Sequence, residues 1–175
     1  MNPTPLSPPG PRSAPARAAA ALQRLHAALA RIPESAIALL ARFAIAGVFW
    51  RSGQTKVEGF ALDLVEGRFE PGLPRLSATA VDLFRDEYRL PLLPPETAAL
   101  LAATAEHLLP ALLLLGLATR LSALGLLAMT AVIQVLVYPG AWPTHGVWAA
   151  VLLWLAVRGP GVVSLDHLLA ARLRR

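Results

Sequence analysis

Four long apolar stretches are the feature that most narrowly limits what this chain can fold into. They cover about residues 36–53, 98–117, 121–138 and 141–157. A helix needs roughly 20 apolar residues to cross a hydrocarbon core of about 30 Å, so each stretch approaches or reaches the required length. Only residues 118–120 separate the second stretch from the third, and so short a turn requires an antiparallel hairpin. The pattern predicts an all-α integral membrane protein with a four-helix bundle over residues 36–158.

The composition agrees with a membrane protein and argues against other classes. Hydrophobic residues make up 55 % of the chain, which is more than one soluble domain needs, so we expect the lipid bilayer as a partner. The net charge of +5 comes mainly from arginines that are spread along the chain beside apolar segments, which argues against a nucleic-acid partner. The sequence has no cysteine, so we expect no disulfide and no thiolate or dithiol centre.

The segments that flank the bundle have their own patterns. Residues 1–15 are rich in proline and predict a disordered tail. Within 16–33, leucines at helical spacing and arginines at every seventh position predict an amphipathic helix, which either lies on the membrane surface or packs as an ordinary solvent helix. Ser164 suits the N-cap of a second amphipathic surface helix within 159–175.

Residues 54–97 form the one sizeable segment between spans, which we predict to be an ordered loop outside the membrane. Val81, Phe84 and Tyr88 share a helical face there, which predicts a short helix over the mouth of the bundle. Nine basic residues lie on the side of the termini, whereas the loop, counted from Arg51, has six together with eight acidic residues. The positive-inside rule therefore predicts that both termini are cytoplasmic.

Several motifs occur in a fixed order from the first span to beyond the last. They are Arg42, Gly47 and Phe49, then Ser-Gly-x-x-Lys ending at Lys56, Glu106, the sequence LLLLGLATRLSALGLLAMT over 112–130, and GPGVVSLD over 159–166. In order and spacing these motifs resemble the DoxX family over about residues 36–170.

The resemblance implies a small protein of the bacterial inner membrane, with several possible settings. One DoxX relative is the small subunit of a thiosulfate:quinone oxidoreductase, another joins a complex with superoxide dismutase and a sulfurtransferase, and others are encoded beside small metal-binding peptides. We therefore expect an accessory membrane subunit of an oxidoreductase system with a protein partner, rather than a self-sufficient enzyme. A link to a quinone is one option for this subunit. The alternative is a non-redox scaffold or a component that transports a small ligand in metal stress.

Glu106 is the most informative polar side chain, because an ionised carboxylate in the middle of a span is costly unless it has a partner. It shares a face with small residues, and a stripe of Arg42, Phe49, Gly53 and Lys56 marks the inner face of the first span. We predict that Glu106 pairs with Arg42, either as a structural pair or to handle a proton, quinone or other ligand. Lys56 is interpreted as an anchor at the membrane boundary.

The third and fourth spans carry further polar candidates. Thr130, Gln134 and Tyr138 form a stripe that indicates hydrogen bonding between helices, with a quinone site as the alternative. Tyr138, Trp142 and His145 are typical of a headgroup boundary, where His145 either anchors the chain or binds a quinone. The four histidines are dispersed and no pair has metal-ligand spacing, so we expect no haem or zinc.

Overall fold

The computed structural model describes residues 14–63 and 66–174. Most of the predicted tail, residues 1–13, lies outside the described residues. Helix α1, Ala14–Leu29, belongs to a first compact unit that ends at Pro33. It is amphipathic, with its leucines at helical spacing, and its side chains are almost all exposed.

The second compact unit, Glu34–Arg175, contains the remaining elements in the described residues. Its helices are α2 (Glu34–Gln54), α3 (Ala78–Leu83), α4 (Pro95–Leu115), α5 (Thr119–Val132), α6 (Trp142–Arg158) and α7 (Leu165–Leu173). Wide π-helical turns extend α3 over Phe84–Tyr88 and α5 over Ile133–Val137, and a 3₁₀ turn at Pro139–Ala141 leads into α6.

Four helical segments of the second unit are long and apolar enough to cross a membrane: Glu34–Gln54, Pro95–Leu115, Thr119–Val137 and Pro139–Arg158. Helix α2 packs most extensively against α4, and α5 against α6. In the most apolar stretch of each segment, at most a third of the residues are buried inside the protein. The apolar surface that remains is suited to lipid, so the predicted all-α membrane bundle is confirmed.

The bundle has one main apolar core between these helices. Its fully buried members come from all four spans: Ile45, Ala46, Phe49, Leu113, Ala123, Leu126, Leu152 and Leu155. The ring of Phe49 meets that of Trp148 edge to face at 5.5 Å. Alanines next to large apolar groups let the helices approach closely, which is how membrane helices gain packing energy without a hydrophobic driving force.

The segment between α2 and α4 is more elaborate than the sequence predicted. Strands β1 (Val57–Glu58) and β4 (Arg75–Leu76) pair antiparallel, as do β2 (Ala61–Asp63) and β3 (Arg68–Glu70). The predicted helix over the bundle mouth is confirmed as α3 and its π-helical turn: Phe84 is buried, and Val81 and Tyr88 pack beside Phe84 and α4. We call this side of the bundle the loop end.

Hydrogen bonds to the backbone of Leu62 fasten the strands to the bundle. Trp50 Nε1 donates to the Leu62 carbonyl at 2.8 Å, and the Leu62 amide donates to Gln54 Oε1 at 2.7 Å. The Gln54 amide nitrogen lies 2.7 Å from His107 Nε2, and His107 Nδ1 lies 2.7 Å from the carbonyl of Ala103. A carbonyl only accepts, so Nδ1 carries a proton and, in the neutral ring, Nε2 accepts from Gln54. Both ring nitrogens of His107 are therefore used to hold the loop.

Candidate functional site

Glu106 points into the bundle, as predicted. Its side chain is only 4 % exposed. It lies on the face of α4 that the small residues form, and Ala99, Ala103 and Pro110 on that face are also buried. Helix α4 continues through Pro110, which removes the usual hydrogen bond to the Glu106 carbonyl.

Lys56 is the charge partner of Glu106. Its Nζ lies 2.7 Å from Glu106 Oε2, and both side chains are 4 % exposed. Ser52 completes the group, because Lys56 Nζ donates to Ser52 Oγ at 3.0 Å and Ser52 Oγ donates to Glu106 Oε1 at 3.0 Å. Glu106 Oε2 is fully enclosed, and the Lys56 ammonium is its partner. Lys56 Nζ also donates to the Ser52 carbonyl at 3.2 Å, so each of its three N–H groups has an acceptor. Lys56, interpreted from the sequence as a boundary anchor, is instead a buried ion-pair partner.

The predicted pair between Arg42 and Glu106 is wrong, and the register of α2 against α4 explains why. A methyl group added to Gly53 would lie 3.1 Å from Glu106 Cβ, whereas one added to Gly116 would lie 1.9 Å from Arg42 Nη1. Arg42 therefore lies beside Gly116, ten residues and roughly 15 Å along α4 from Glu106. Both side chains face inward as predicted, but at different depths.

Arg42 lies at the opposite end of the bundle, where residues 159–166 form a segment that we call the strap. Arg42 is 1 % exposed, and its Nη2 donates to the carbonyl of Val163 at 2.6 Å. Its Nε and Nη1 have no hydrogen-bond partner in the described parts of the chain. We call this side of the bundle the strap end.

The strap joins the ends of several helices. Asp166 accepts hydrogen bonds from the amides of Ala118 and Thr119 at 2.8 and 2.9 Å, so its carboxylate caps α5. The amide of Asp166 donates to the carbonyl of Gly116 at 2.8 Å. The predicted N-cap is confirmed, since Ser164 Oγ accepts from the amide of His167 at 3.2 Å. The GPGVVSLD motif thus serves as a structural clamp between α4, α5 and α7.

An apolar cavity of about 310 Å³ lies between α4 and α5 at the loop end, with the Lys56–Glu106 pair in its wall. Both π-helical turns contribute to it, and wide turns of this kind are frequent at functional sites. The apolar lining consists of Phe84, Tyr88, Leu90, Leu93, Ala98, Leu101, Ala102, Ala105, Met129, Val132, Ile133 and Val137. We call this space the loop-end cavity.

The comparison with protein families agrees with this architecture. A family model described as DoxX matches residues 37–139, more than half of the chain. The chain belongs to the DoxX family. Comparisons with curated proteins and with solved structures gave no match. Family membership and the four apolar helices together make this a multi-pass membrane protein in contact with the lipid bilayer.

The DoxX match covers Arg42, Lys56, Glu106, Gln134 and Tyr138, so both buried cationic side chains and the loop-end cavity lie within the family domain. The strap and all of α6 lie beyond it.

Tyr138 joins α5 to the loop segment of the DoxX domain. Its hydroxyl donates to Glu87, and its ring meets that of Tyr88 edge to face at 5.7 Å. The hydrogen bond to Glu87 and partial burial raise the pKa of Tyr138 above its ordinary value. Burial is the main cause that raises the pKa of Tyr88. Both hydroxyls are therefore neutral over the physiological range.

The other candidates of the third and fourth spans separate in the structure. Trp142 is 68 % exposed on the first turn of α6, whereas His145, one turn further on, is only 6 % exposed. Gln134 Oε1 lies 2.7 Å from His145 Nδ1. His145 is thus buried and bonded to α5 rather than placed on the surface beside Trp142.

Within 14–63 and 66–174, no three His, Cys, Asp or Glu side chains come together in a group that could hold a metal ion. Ser52 and Gln54, which bind Glu106 and His107, were not predicted as site residues. The spacing of Ser52 and Lys56, four residues apart in the Ser-Gly-x-x-Lys motif, was the available signal for the first of them.

Proposed function

We propose that this protein is an accessory subunit of an oxidoreductase system in the bacterial inner membrane, and that its loop-end cavity binds the headgroup of a quinone. The observation that carries the proposal is the buried cluster of Lys56, Ser52 and Glu106 in the wall of an otherwise apolar cavity. Charged groups within spans are costly and typically mark ligand or proton pathways.

The cavity fits such a ligand in size and chemistry. Its volume of about 310 Å³ lies at the lower end of the range of about 300–1,000 Å³ for small-molecule sites. Leu101 and Val132 line it and are exposed on the outer surface of the bundle. A ligand dissolved in the membrane can therefore enter from the side. The Lys56–Glu106 ion pair supplies the charged groups in its wall.

The roles of the chain's own residues follow from these positions. The Lys56 ammonium donates to the Ser52 carbonyl at 3.2 Å, and it would exchange this long bond for one to a carbonyl oxygen of the headgroup. Glu106 would remain its counter-ion. Ser52 fixes the orientation of Glu106 through Oε1. Phe84 and Tyr88 cover the cavity and exclude water. A bound quinone would supply the redox chemistry. Because the chain has no cysteine, a dithiol or iron–sulfur centre would come from a partner subunit.

The decisive experiment fills the cavity without touching its charged groups. Ala105 lines the loop-end cavity, whereas Ala128 is an exposed alanine on the lipid-facing side of α5. Wild type, Ala105→Phe and Ala128→Phe are purified from membranes in detergent, and quinone is extracted and quantified for each protein. We expect quinone with the wild type and with Ala128→Phe, and its loss from Ala105→Phe. Equal quinone in all three, or none in any, would contradict the proposal.

We further propose that both termini are cytoplasmic, and the distribution of basic residues supports this orientation. Because the chain has no cysteine, single-cysteine variants give an unambiguous readout. Arg75 and His167 are exposed at the loop end and on α7. With an impermeant maleimide on spheroplasts, Arg75→Cys should react at once and His167→Cys only after lysis. The reverse order would refute the orientation.

A further inference from the structure

A second cavity, of about 360 Å³, lies between α5 and α6 and shares no lining residue with the loop-end cavity. Its polar groups come from Gln134 and His145, and the rest of its wall is Leu127, Thr130, Ala131, Val135, Trp142, Gly146 and Ala149. Val135 and Trp142 are about 70 % exposed, so the cavity opens on the lipid-facing side. We call it the α5–α6 cavity.

The hydrogen bonds of Gln134 determine the tautomer of His145. Gln134 Nε2 donates to the carbonyl of Pro139 at 2.7 Å, which fixes the orientation of the amide. Oε1, which only accepts, therefore faces His145 Nδ1 at 2.7 Å. Nδ1 must carry the proton, and in the neutral ring Nε2 is left with a free lone pair.

His145 Nε2 has no hydrogen-bond partner within the described residues. Unlike the enclosed, unpaired polar atoms in those residues, it is accessible from outside the protein. The ring is nevertheless held in place, since it packs against Trp148 at 5.1 Å between centroids. His107 provides the contrast: Gln54 and the Ala103 carbonyl engage both of its ring nitrogens. His145 is thus a fixed, buried acceptor that lines an apolar cavity.

We propose that the α5–α6 cavity binds a lipid-soluble alcohol or phenol whose hydroxyl group donates a hydrogen bond to His145 Nε2. A donor is required because the free nitrogen accepts, and an apolar body is required because most of the wall is apolar. His145 is buried near the start of α6, three residues after the exposed Trp142. The hydroxyl group therefore lies near the end of the span and the apolar body extends along α5 and α6.

The site is tested with two hydroxyl probes, which represent the two classes of ligand that could supply the donor. Duroquinol represents a membrane quinol and dodecanol an aliphatic alcohol, and each is titrated into detergent-purified protein whose histidines carry ¹⁵N. The Nε2 resonance of His145 should move on binding, because accepting a hydrogen bond changes the shielding of that nitrogen. The resonances of His107 should not move, since both of its nitrogens are already bonded.

A matched pair of variants separates binding in the cavity from non-specific contact. Ala149 lines the α5–α6 cavity and the adjacent Ala150 is exposed outside it. Ala149→Phe should weaken probe binding by roughly tenfold or more, while Ala150→Phe should bind as the wild type does. Both variants retain His145 and its bond to Gln134, so the ¹⁵N spectrum without a probe also reports whether the fold is intact.

Each outcome decides the proposal. A shift with duroquinol alone assigns a phenolic ligand, one with dodecanol alone an aliphatic alcohol, and one with both a general hydroxyl site. No shift at saturating probe, or the same shift in Ala149→Phe, would overturn it. The result is independent of the quinone site, because Ala105→Phe fills a cavity that has no residue in common with this one.

Discussion

Replacing Gly116 with alanine should destabilise the bundle strongly, because two separate costs meet at this position. Gly116 has φ of +66°, and a side chain in that region costs about 1–2 kcal/mol. The new Cβ would also lie 1.9 Å from Arg42 Nη1 and 2.5 Å from Ser164 Cβ, so Arg42 must move. Losing its 2.6 Å bond to Val163 adds about 1.5–3 kcal/mol. We expect a total loss of about 2.5–5 kcal/mol.

Gly67 offers the matched control, since its φ of +67° is nearly the same and nothing lies within 4 Å of an added Cβ. Gly67→Ala isolates the cost of the backbone conformation. Thermal unfolding in detergent, followed by circular dichroism, should give a Tm roughly 5–20 °C lower for Gly116→Ala, at about 2–4 °C per kcal/mol. The decrease for Gly67→Ala should be clearly smaller. Equal decreases would refute the close packing of Arg42 against the turn after α4.

Two further predictions concern the loop end. Lys56→Met and Glu106→Gln should each lower the free energy of unfolding by about 3–5 kcal/mol, since each leaves a buried polar side chain without its partner. The double variant should lose much less than the sum of the two losses. Strictly additive losses would contradict direct contact between the two side chains. The chain has two tyrosines, and both have raised pKa values, Tyr138 through its hydrogen bond to Glu87 and Tyr88 through burial. Unfolded tyrosine ionises at about pH 10, whereas the two folded tyrosines stay neutral there. The contribution of Tyr88 and Tyr138 to stability is therefore complete below that pH and declines above it. Absorbance titration of the folded wild type should show little tyrosinate at about pH 10. Glu87→Ala should lower the titration midpoint of Tyr138. A full tyrosinate signal from the wild type at that pH would refute the raised pKa values.

The sequence was sufficient for features that depend on one helix at a time. Periodicity placed Glu106 on the small-residue face of α4 and Phe84 on the inner face of the loop helix, and both are buried. The N-cap at Ser164 was also correct, because capping is a local interaction between a side chain and the next turn.

Features that depend on two elements were not predictable in the same way. The partner of Glu106 follows from the register of α2 against α4, which no pattern within either helix specifies. Lys56 lies just beyond a span, where lysines usually extend to the interface, but it is instead held at Glu106 by Ser52. His145 resembled an interfacial residue because Trp142 is nearby, yet the helix turns it toward Gln134.

The short strands of the loop escaped prediction for another reason. Strands of two or three residues are too short for an alternating pattern to be recognised. The hydrogen bonds that fix them come from Trp50 and Gln54 on α2, so their position depends on contacts across the chain.

Photolabelling with an azidoquinone tests the proposed quinone site most directly. The probe is bound to the purified protein, activated by light, and its attachment sites are mapped by mass spectrometry. The proposal predicts labels on lining residues of the loop-end cavity such as Tyr88, Leu101 and Ile133. These labels should be lost in Ala105→Phe but not in Ala128→Phe. Labels scattered over the lipid-facing surface, or unchanged in Ala105→Phe, would contradict it.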